Sequence, residues 1–410
     1  MNRRVFIASA AAGVAALAQG QDVPASIKAL KPMMDGIQPI TDQERQGRIE
    51  KARRLMRENK LDAVLMESGS STFYFTGEKP TGGIWILPRK GETVWVFPEY
   101  KFPPAAEDLA AARVGRDAVQ MWPRSQGPYK FIAKMLKETD VARVGIEERT
   151  RFAVFDGLRQ EAPRLEFASA DPVTVGCRVI KSPAEIALLQ RANDVTIAAY
   201  KAAFTTMKEG MTQREFSANI AAAYRALGFS GGAMAIFGKY TAFPHGSIQP
   251  QQLHEGDMVL IDDGCSVEGY QSDITRTTVF GKPTPRQRQV WDLERKAQDA
   301  ALAAAKVGAT CESVDAAARK VITDAGFGPG YKVPGLPHRT GHGIGLDGHE
   351  WTYLVKGNKT RIEPGMCFSN EPTIAIYGEF GVRLEDCMYI TESGARMFTK
   401  QSPAIDQPFG

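Results

Sequence analysis

Three of the five histidines in this 410-residue chain fall in one short stretch, "HRTGHGIGLDGHE" (residues 338 to 350), together with four glycines. His338 and His342 stand four apart, a zinc-binding spacing on a helix, but Gly341, Gly343 and Gly345 make a helix there unfavourable. The spacing predicts an extended turn or a strand end. Its chemistry must come from side chains that other segments bring to it.

Two acidic hairpins are candidates for those segments. In "MVLIDDGCSVEGYQSDITRTTVF" an apolar strand ends at Asp262, a turn around Glu268-Gly269 reverses the chain, and the return strand carries Asp273. Asp262 and Asp273 are expected to face each other across the ladder, close enough to reach one centre. In "CFSNEPTIAIYGEFGVRLEDCMYI" the pattern recurs, with Glu371 and Glu385 symmetric about Gly378. Four carboxylates gathered on paired strands repel one another unless a cation compensates. Oxygen ligands with a single imidazole suit manganese or cobalt, and zinc less characteristically. Four acids and one histidine exceed the needs of one ion and fit two ions that activate a water.

The elements that must position these groups divide near residue 175. "ERQGRIEKARRLMRENKLD" places Ile49, Ala52, Leu55 and Met56 at helical spacing, and strand-like runs "AVLM", "GGIWILP" and "ETVWVFP" follow. The alternation predicts an α/β domain over residues 46–174, preceded by a polar, Pro-interrupted linker or N-terminal extension over 19–45. Beyond it, Ser182-Pro183-x-Glu185 starts a long helix on Ile186, Leu189, Ala192 and Ile197. A second helix starts at Thr212 with Glu215 three residues on, and a strand-rich region from residue 230 holds all five histidines. The second domain is expected over 175–405.

Composition limits the rest. A chain 43% hydrophobic and 24% charged is an ordinary globular protein, and a net charge of +4 does not predict a nucleic-acid partner. The N-terminus, "MNRRVFIASAAAGVAALAQG", sets paired arginines before an apolar run ending in Ala16-Leu17-Ala18, a small-x-small cleavage pattern. It reads as a signal peptide over 1–18, and "RRVFI" resembles a twin-arginine export signal. The mature chain is therefore expected in the periplasm or secreted, with no membrane attachment after processing. Cys177, Cys265, Cys311, Cys367 and Cys387 show no CxxC spacing and read as buried thiols.

Taken in order, "IDDGCSVEGYQSDITRT", "GHGIGLDGHE", "NEPTI" and "GVRLED" resemble the successive motifs of the pita-bread metallopeptidases, the family of aminopeptidase P, prolidase and methionine aminopeptidase. The preceding domain resembles the creatinase-type N-terminal domain of aminopeptidase P and prolidase. The resemblance implies an α/β creatinase-like domain followed by an α+β pita-bread catalytic domain. It implies Asp262 on one metal ion, Asp273 and Glu385 bridging, and His342 with Glu371 on the other; manganese is the expected metal, with cobalt, zinc and iron as alternatives. It also gives Glu371 the role of proton shuttle, His349 that of donor to the scissile carbonyl, and His245 that of a substrate-approaching loop residue. His338 would line the proline pocket, and Arg383 would link the metal site to substrate or to the groups that support the ligands.

"RLED" and the extra domain favour the proline-specific branch. The implied activity is hydrolysis of Xaa-Pro bonds at peptide N-termini or in dipeptides, by a homodimer or homotetramer. The same fold also hosts amide hydrolases of the creatinase and ectoine type and a metal-dependent sulfoniopropionate lyase. His254 matches no motif and reads as structural, and alternation should point Asp263 away from the metals.

Overall fold

The computed structural model describes residues 23–80, 82–101 and 118–409; the export signal expected at 1–18 lies outside them. Among the described residues no helix is long and apolar enough to cross a membrane.

The first domain is a six-stranded mixed sheet. Its strands are β1 (Ala63–Glu67), β2 (Ile84–Pro88), β3 (Val94–Pro98), β4 (Ala118–Trp122), β5 (Arg143–Ile146) and β6 (Glu166–Ser169), in the order β4-β3-β2-β1-β5-β6. Alternation splits its apolar side chains between two faces. Leu65, Ile86 and Val96 pack with Ile132, Leu136 and Leu158 on one side. Trp85, Trp95 and Phe97 point to the other, where they join a cluster that continues into the second domain through Leu189, Val195 and Tyr224. The two domains therefore share a core.

The segment expected as a linker is packed in place. Ile27 and Ile40 are buried, Ser26 Oγ donates to the Ala202 carbonyl at 2.9 Å, and the Met33 amide to Leu227 at 2.9 Å. The next helix begins at Asp42, capped by Thr41, inside the expected linker. Proline and polar residues gave that stretch a linker's composition, but its isolated isoleucines seat in the core.

The second domain alternates helix pairs with sheets. Helices Pro183–Phe204 and Gln213–Leu227 start with capping boxes at Ser182/Glu185 and Thr212/Glu215, each cap contributing about 1 kcal/mol. They precede an antiparallel sheet of β7 (Met234–Phe237), β8 (Met258–Asp263) and β11 (Ile274–Val279), order β11-β8-β7. Between β8 and β11 lie the two-residue strands β9 (Ser266–Val267) and β10 (Tyr270–Gln271). Helices Pro285–Ala304 and Cys311–Asp324 precede the second sheet system. That system has β12 (Gly341–Gly343), β13 (Glu350–Leu354), β14 (Cys367–Asn370), β15 (Thr373–Ile376), β16 (Phe380–Arg383), β17 (Asp386–Thr391) and β18 (Gly394–Met397). Its strands pair as β13-β12-β14-β17-β18 and β15-β16. All five cysteines are buried and free.

Candidate metal centre and active site

β8 ends on Asp262, but the partner opposite it is Thr275, not Asp273. The turn is the two residues Glu268 and Gly269, with φ of 49° and 87°, flanked by the pair Val267↔Tyr270. Two positive-φ residues make the tight turn that suits the twist of paired strands. The turn centre lies between Glu268 and Gly269, which displaces the register by two residues from the expected one. Asp273 sits two residues nearer the turn than Thr275 and shares its face, so it is a diagonal neighbour of Asp262. The carboxyls still converge, with one oxygen each from Asp262, Asp273 and Glu385 lying within 4.8 Å of one another.

The second hairpin has the register that symmetry about Gly378 predicts. Thr373 pairs with Arg383 and Asn370 with Asp386, which leaves Glu371 and Glu385 opposed. The Glu371 amide donates to the Thr340 carbonyl at 2.8 Å, tying this hairpin to β12. His342, in β12, brings an imidazole nitrogen within 4.8 Å of oxygens of Glu371 and Glu385.

One hydroxyl joins the hairpins. Thr275 Oγ1 is 2.7 Å from Asp262 Oδ1 and 2.6 Å from Glu385 Oε2, and accepts from Arg383 Nε at 3.0 Å. A hydroxyl has one proton to give. The two carboxyls beside it must therefore hold a proton themselves or share a cation. Arg383 turns each of its three nitrogens to the protein: besides Thr275 it holds Asp262 at 2.5 Å and the Pro244 carbonyl at 3.0 Å. It is a brace for the acids that also lines the cleft.

The electrostatics call for positive charge. Burial, then Asp262 and Glu371, pushes the Asp273 carboxyl well above the usual range, and burial, then Asp273, does the same to Glu385. Burial also raises Asp262, but Arg383 and the Thr275 hydroxyl outweigh it and hold this carboxyl below its ordinary value. Burial lowers His342 to about 4, so its ring is neutral at physiological pH. Its Nδ1 faces the Gly343 carbonyl at 3.0 Å and must carry the proton. Nε2 then directs a lone pair at Glu371 Oε1, 3.2 Å away, and Asp273 Oδ2, 3.7 Å away. A lone pair facing two carboxylates is repulsive without a cation between them. Glu385 Oε1 is buried with no hydrogen-bond partner among the described residues. The donor set of four carboxylates and one neutral imidazole fits divalent metal.

His349 is a different case, although its ring lies 3.9 Å from that of His342. Arg339 Nη2 is 2.9 Å from its Nδ1, and a guanidinium can only donate. Nδ1 is therefore the acceptor, the neutral ring carries its proton on Nε2, and Nε2 is a hydrogen-bond donor with no lone pair for a metal. Burial, then His342 and Arg339, lowers this ring to about 4, which keeps it neutral. His338 is held by its Nδ1 to the Arg339 carbonyl at 2.7 Å and by Thr373 Oγ1 at 2.9 Å on Nε2, so it forms a fixed wall.

The five acid and imidazole residues share one cavity of about 340 Å³ with His245, His338, His349 and Arg383. His245 is exposed at its rim. His254 lies at the surface, 2.8 Å from Glu209 Oε1, and does not line the cavity. Asp263 is exposed, as alternation predicted, with its carboxylate on the Gly264 amide at 2.9 Å. The sequence reading did not single out Thr275, Arg339, Tyr331 or Val355. Thr275 could have been found, since it lies two residues from Asp273 on one strand face.

The glycines beside His342 have a steric cause. A Cβ on Gly341 would lie 2.2 Å from the Ser369 carbonyl oxygen, and one on Gly343 2.7 Å from that of Glu350. Any side chain there would push β12 off its neighbours and carry His342 out of the cluster.

Divalent metal gathered by these acids and His342, with His349 free to donate to a carbonyl, can hydrolyse a bond, which is the chemistry of a metallohydrolase. The chain belongs to metallopeptidase family M24, whose model matches residues 187–392, and residues 48–180 match the Creatinase/Prolidase N-terminal domain. It is thus a divalent-metal enzyme with a creatinase-type domain before a pita-bread catalytic domain. The Xaa-Pro dipeptidase of Pyrococcus furiosus is 32% identical over 356 residues, covering 86% of this chain and 97% of its own length. The dipeptidase PepE of Mycobacterium ulcerans superimposes with a TM-score of 0.81 at 30% identity, over 88% of this chain and 97% of that one. The prolidase of Pyrococcus horikoshii gives 0.75 at 29% identity, over 86% and 98%.

Proposed function

We propose that this chain is a dinuclear Xaa-Pro dipeptidase. The observation that carries the reading is the opposed carboxylates meeting the Nε2 lone pair of His342, a cluster with too many donors for one ion. Asp262, Asp273, His342, Glu371 and Glu385 would hold the two ions, and manganese suits the oxygen-rich set. Bound there, the ions supply Lewis acidity that activates water and polarises a carbonyl.

The chain's own groups do the rest. Glu371 takes the proton of the attacking water and delivers it to the departing proline nitrogen as the peptide bond breaks. His349 donates from Nε2 to the carbonyl oxygen as negative charge develops there. His338 forms the wall against the proline ring, His245 approaches the substrate from the rim, and Arg383 keeps Asp262 ionised. The similarity to the Pyrococcus furiosus enzyme along most of both chains supports a dipeptide substrate.

The exposed stack of Phe243 on Tyr377, ring centroids 5.3 Å apart, and the 96% exposure of Ile248 support a homodimer closing over the rim. Sedimentation of the purified protein checks this. The paired arginines and Ala16-Leu17-Ala18 support export to the periplasm; replacing Arg3 and Arg4 by Lys should retain the chain in the cytoplasm.

The deciding assay is a substrate panel with the manganese-loaded enzyme. Ala-Pro should be cleaved, with Ala-Ala and the tripeptide Ala-Pro-Ala each slower by roughly 10²-fold or more in kcat/KM. Hydrolysis of creatine, or turnover of a sulfonium compound, with none of Ala-Pro would overturn the assignment.

A further inference from the structure

The turn that carries His349 is held from outside the catalytic sheet. Glu350, the next residue, is buried, and its Oε1 accepts the backbone amides of Leu346 at 2.8 Å and Asp347 at 3.2 Å. The turn is wrapped around this carboxylate. A Cβ on Gly345 would lie 2.7 Å from Glu350 Oε2, so only glycine lets the loop close so tightly. Lys181 Nζ holds Glu350 Oε2 at 3.0 Å, and Arg178 Nη2 bonds both Glu350 and, at 2.6 Å, Asp347. The first domain adds Ser70 Oγ at 2.7 Å and Arg149 Nη1 at 2.8 Å, both on Asp347 Oδ1.

Buried ion networks of this kind are seldom more stable than well-packed apolar residues, because desolvation cancels much of their attraction. What they do provide is direction. Arg178 and Lys181 lie at the junction of the domains, Ser70 and Arg149 within the first, and all four converge on the one turn that ends at His349.

We propose that the creatinase-type domain is a catalytic brace: through this network it sets the position of residues 344–350, so that His349 presents its Nε2 proton to the substrate carbonyl. Arg178 and Glu350 are positioning residues. The inference rests on the reading of His349 as the carbonyl donor. It adds that the donor's geometry is imposed by a domain containing none of the metal ligands.

The test uses the full-length, manganese-loaded enzyme on Ala-Pro. Glu350→Gln should lower kcat by roughly 10²-fold, the scale of an ångström-sized misplacement, at unchanged KM and metal content. Arg149→Gln, whose side chain is 52% exposed and whose replacement leaves the core intact, should lower kcat roughly threefold. Arg178→Lys should be faster than Arg178→Met. Each substitution is then combined with His349→Ala. If the network acts through His349, the double variants are no slower than His349→Ala alone. Losses that multiply, or that fall on KM or metal content, would overturn the brace, and the Arg149 cycle decides should Glu350→Gln not fold. Full kcat in His349→Ala by itself would instead sink the reading of the donor, a failure visible in the single variant, and the brace with it.

Discussion

The two acid hairpins converge on one centre by different geometry. In the hairpin from β14 to β17 a three-residue turn centred on Gly378 sets Glu371 opposite Glu385. In the hairpin from β8 to β11 a two-residue turn sets Thr275 opposite Asp262 and leaves Asp273 on the diagonal. The glutamates converge from opposed positions and the aspartates from the wider diagonal, and the position opposite Asp262 holds the Thr275 hydroxyl, which reaches Glu385 in the other hairpin. Opposed aspartates would have left no place for it. The offset is what joins the two halves of the site.

Breaking either hairpin should have the largest effect. Asp273→Asn and Glu385→Gln each remove a proposed ligand of both ions, and each should lower kcat/KM by roughly 10³-fold with loss of both metals, read by steady-state kinetics and elemental analysis. A variant keeping one tight ion and its activity would separate the hairpins again. Next is His349→Ala, which should keep its metals and lose roughly 10²- to 10³-fold in kcat, the cost of one oxyanion donor. His254→Ala, outside the cleft, should change little.

Thr275→Val tests the joint between the hairpins. It keeps the shape and removes the hydroxyl between the hairpins, and should weaken metal binding by roughly 10- to 100-fold in a titration. Ser369→Ala, which loses a 3.3 Å contact to Glu371 and the 3.0 Å acceptor of the His342 amide but no hydroxyl between the two hairpins, should cost less. Equal effects would deny Thr275 its joining role.

Proton release tests the electrostatics. The Asp273 and Glu385 carboxyls lie above their usual range through burial and mutual repulsion, so protons compete with metal for them. His342 is already neutral above about 4, and Asp262 is already ionised at neutral pH, so neither adds to the release. Metal affinity should therefore fall as pH falls. Calorimetry in buffers of different ionisation enthalpy should show proton release that grows as the pH is lowered; no release at any pH would contradict the assignment. The smallest effect is expected for Asp263→Asn, within about twofold in kcat, because this side chain faces solvent and an amide oxygen can still accept from Gly264.

Which of these features the sequence discloses follows from how local their causes are. The second hairpin is legible because Gly378 marks its turn centre and the register runs on without a break. The first is misread by two residues because the pattern does not show that Glu268, as well as Gly269, takes a positive φ. Asp262, Asp273, His342, Glu371 and Glu385 are recognisable as chemistry because acids beside apolar strand residues are out of place. Thr275 is not, because a threonine in a strand is ordinary until its neighbours across space are known. Arg339 sits ten residues from His349, and Arg178 is 172 residues from Glu350; no periodicity links such pairs. The expected linker misled for a related reason, since scattered isoleucines declare a docking surface only once the helices beneath them are placed.

If the two hairpins make one dinuclear centre, the metal content of the chain is fixed at two. Protein purified without chelator, stripped, reloaded with manganese and freed of excess should hold two ions per chain, with activity rising as the second is added. Asp273→Asn prepared in the same way should hold none. A single tightly bound ion at full activity, or an Asp273→Asn chain that still binds two, would contradict the account.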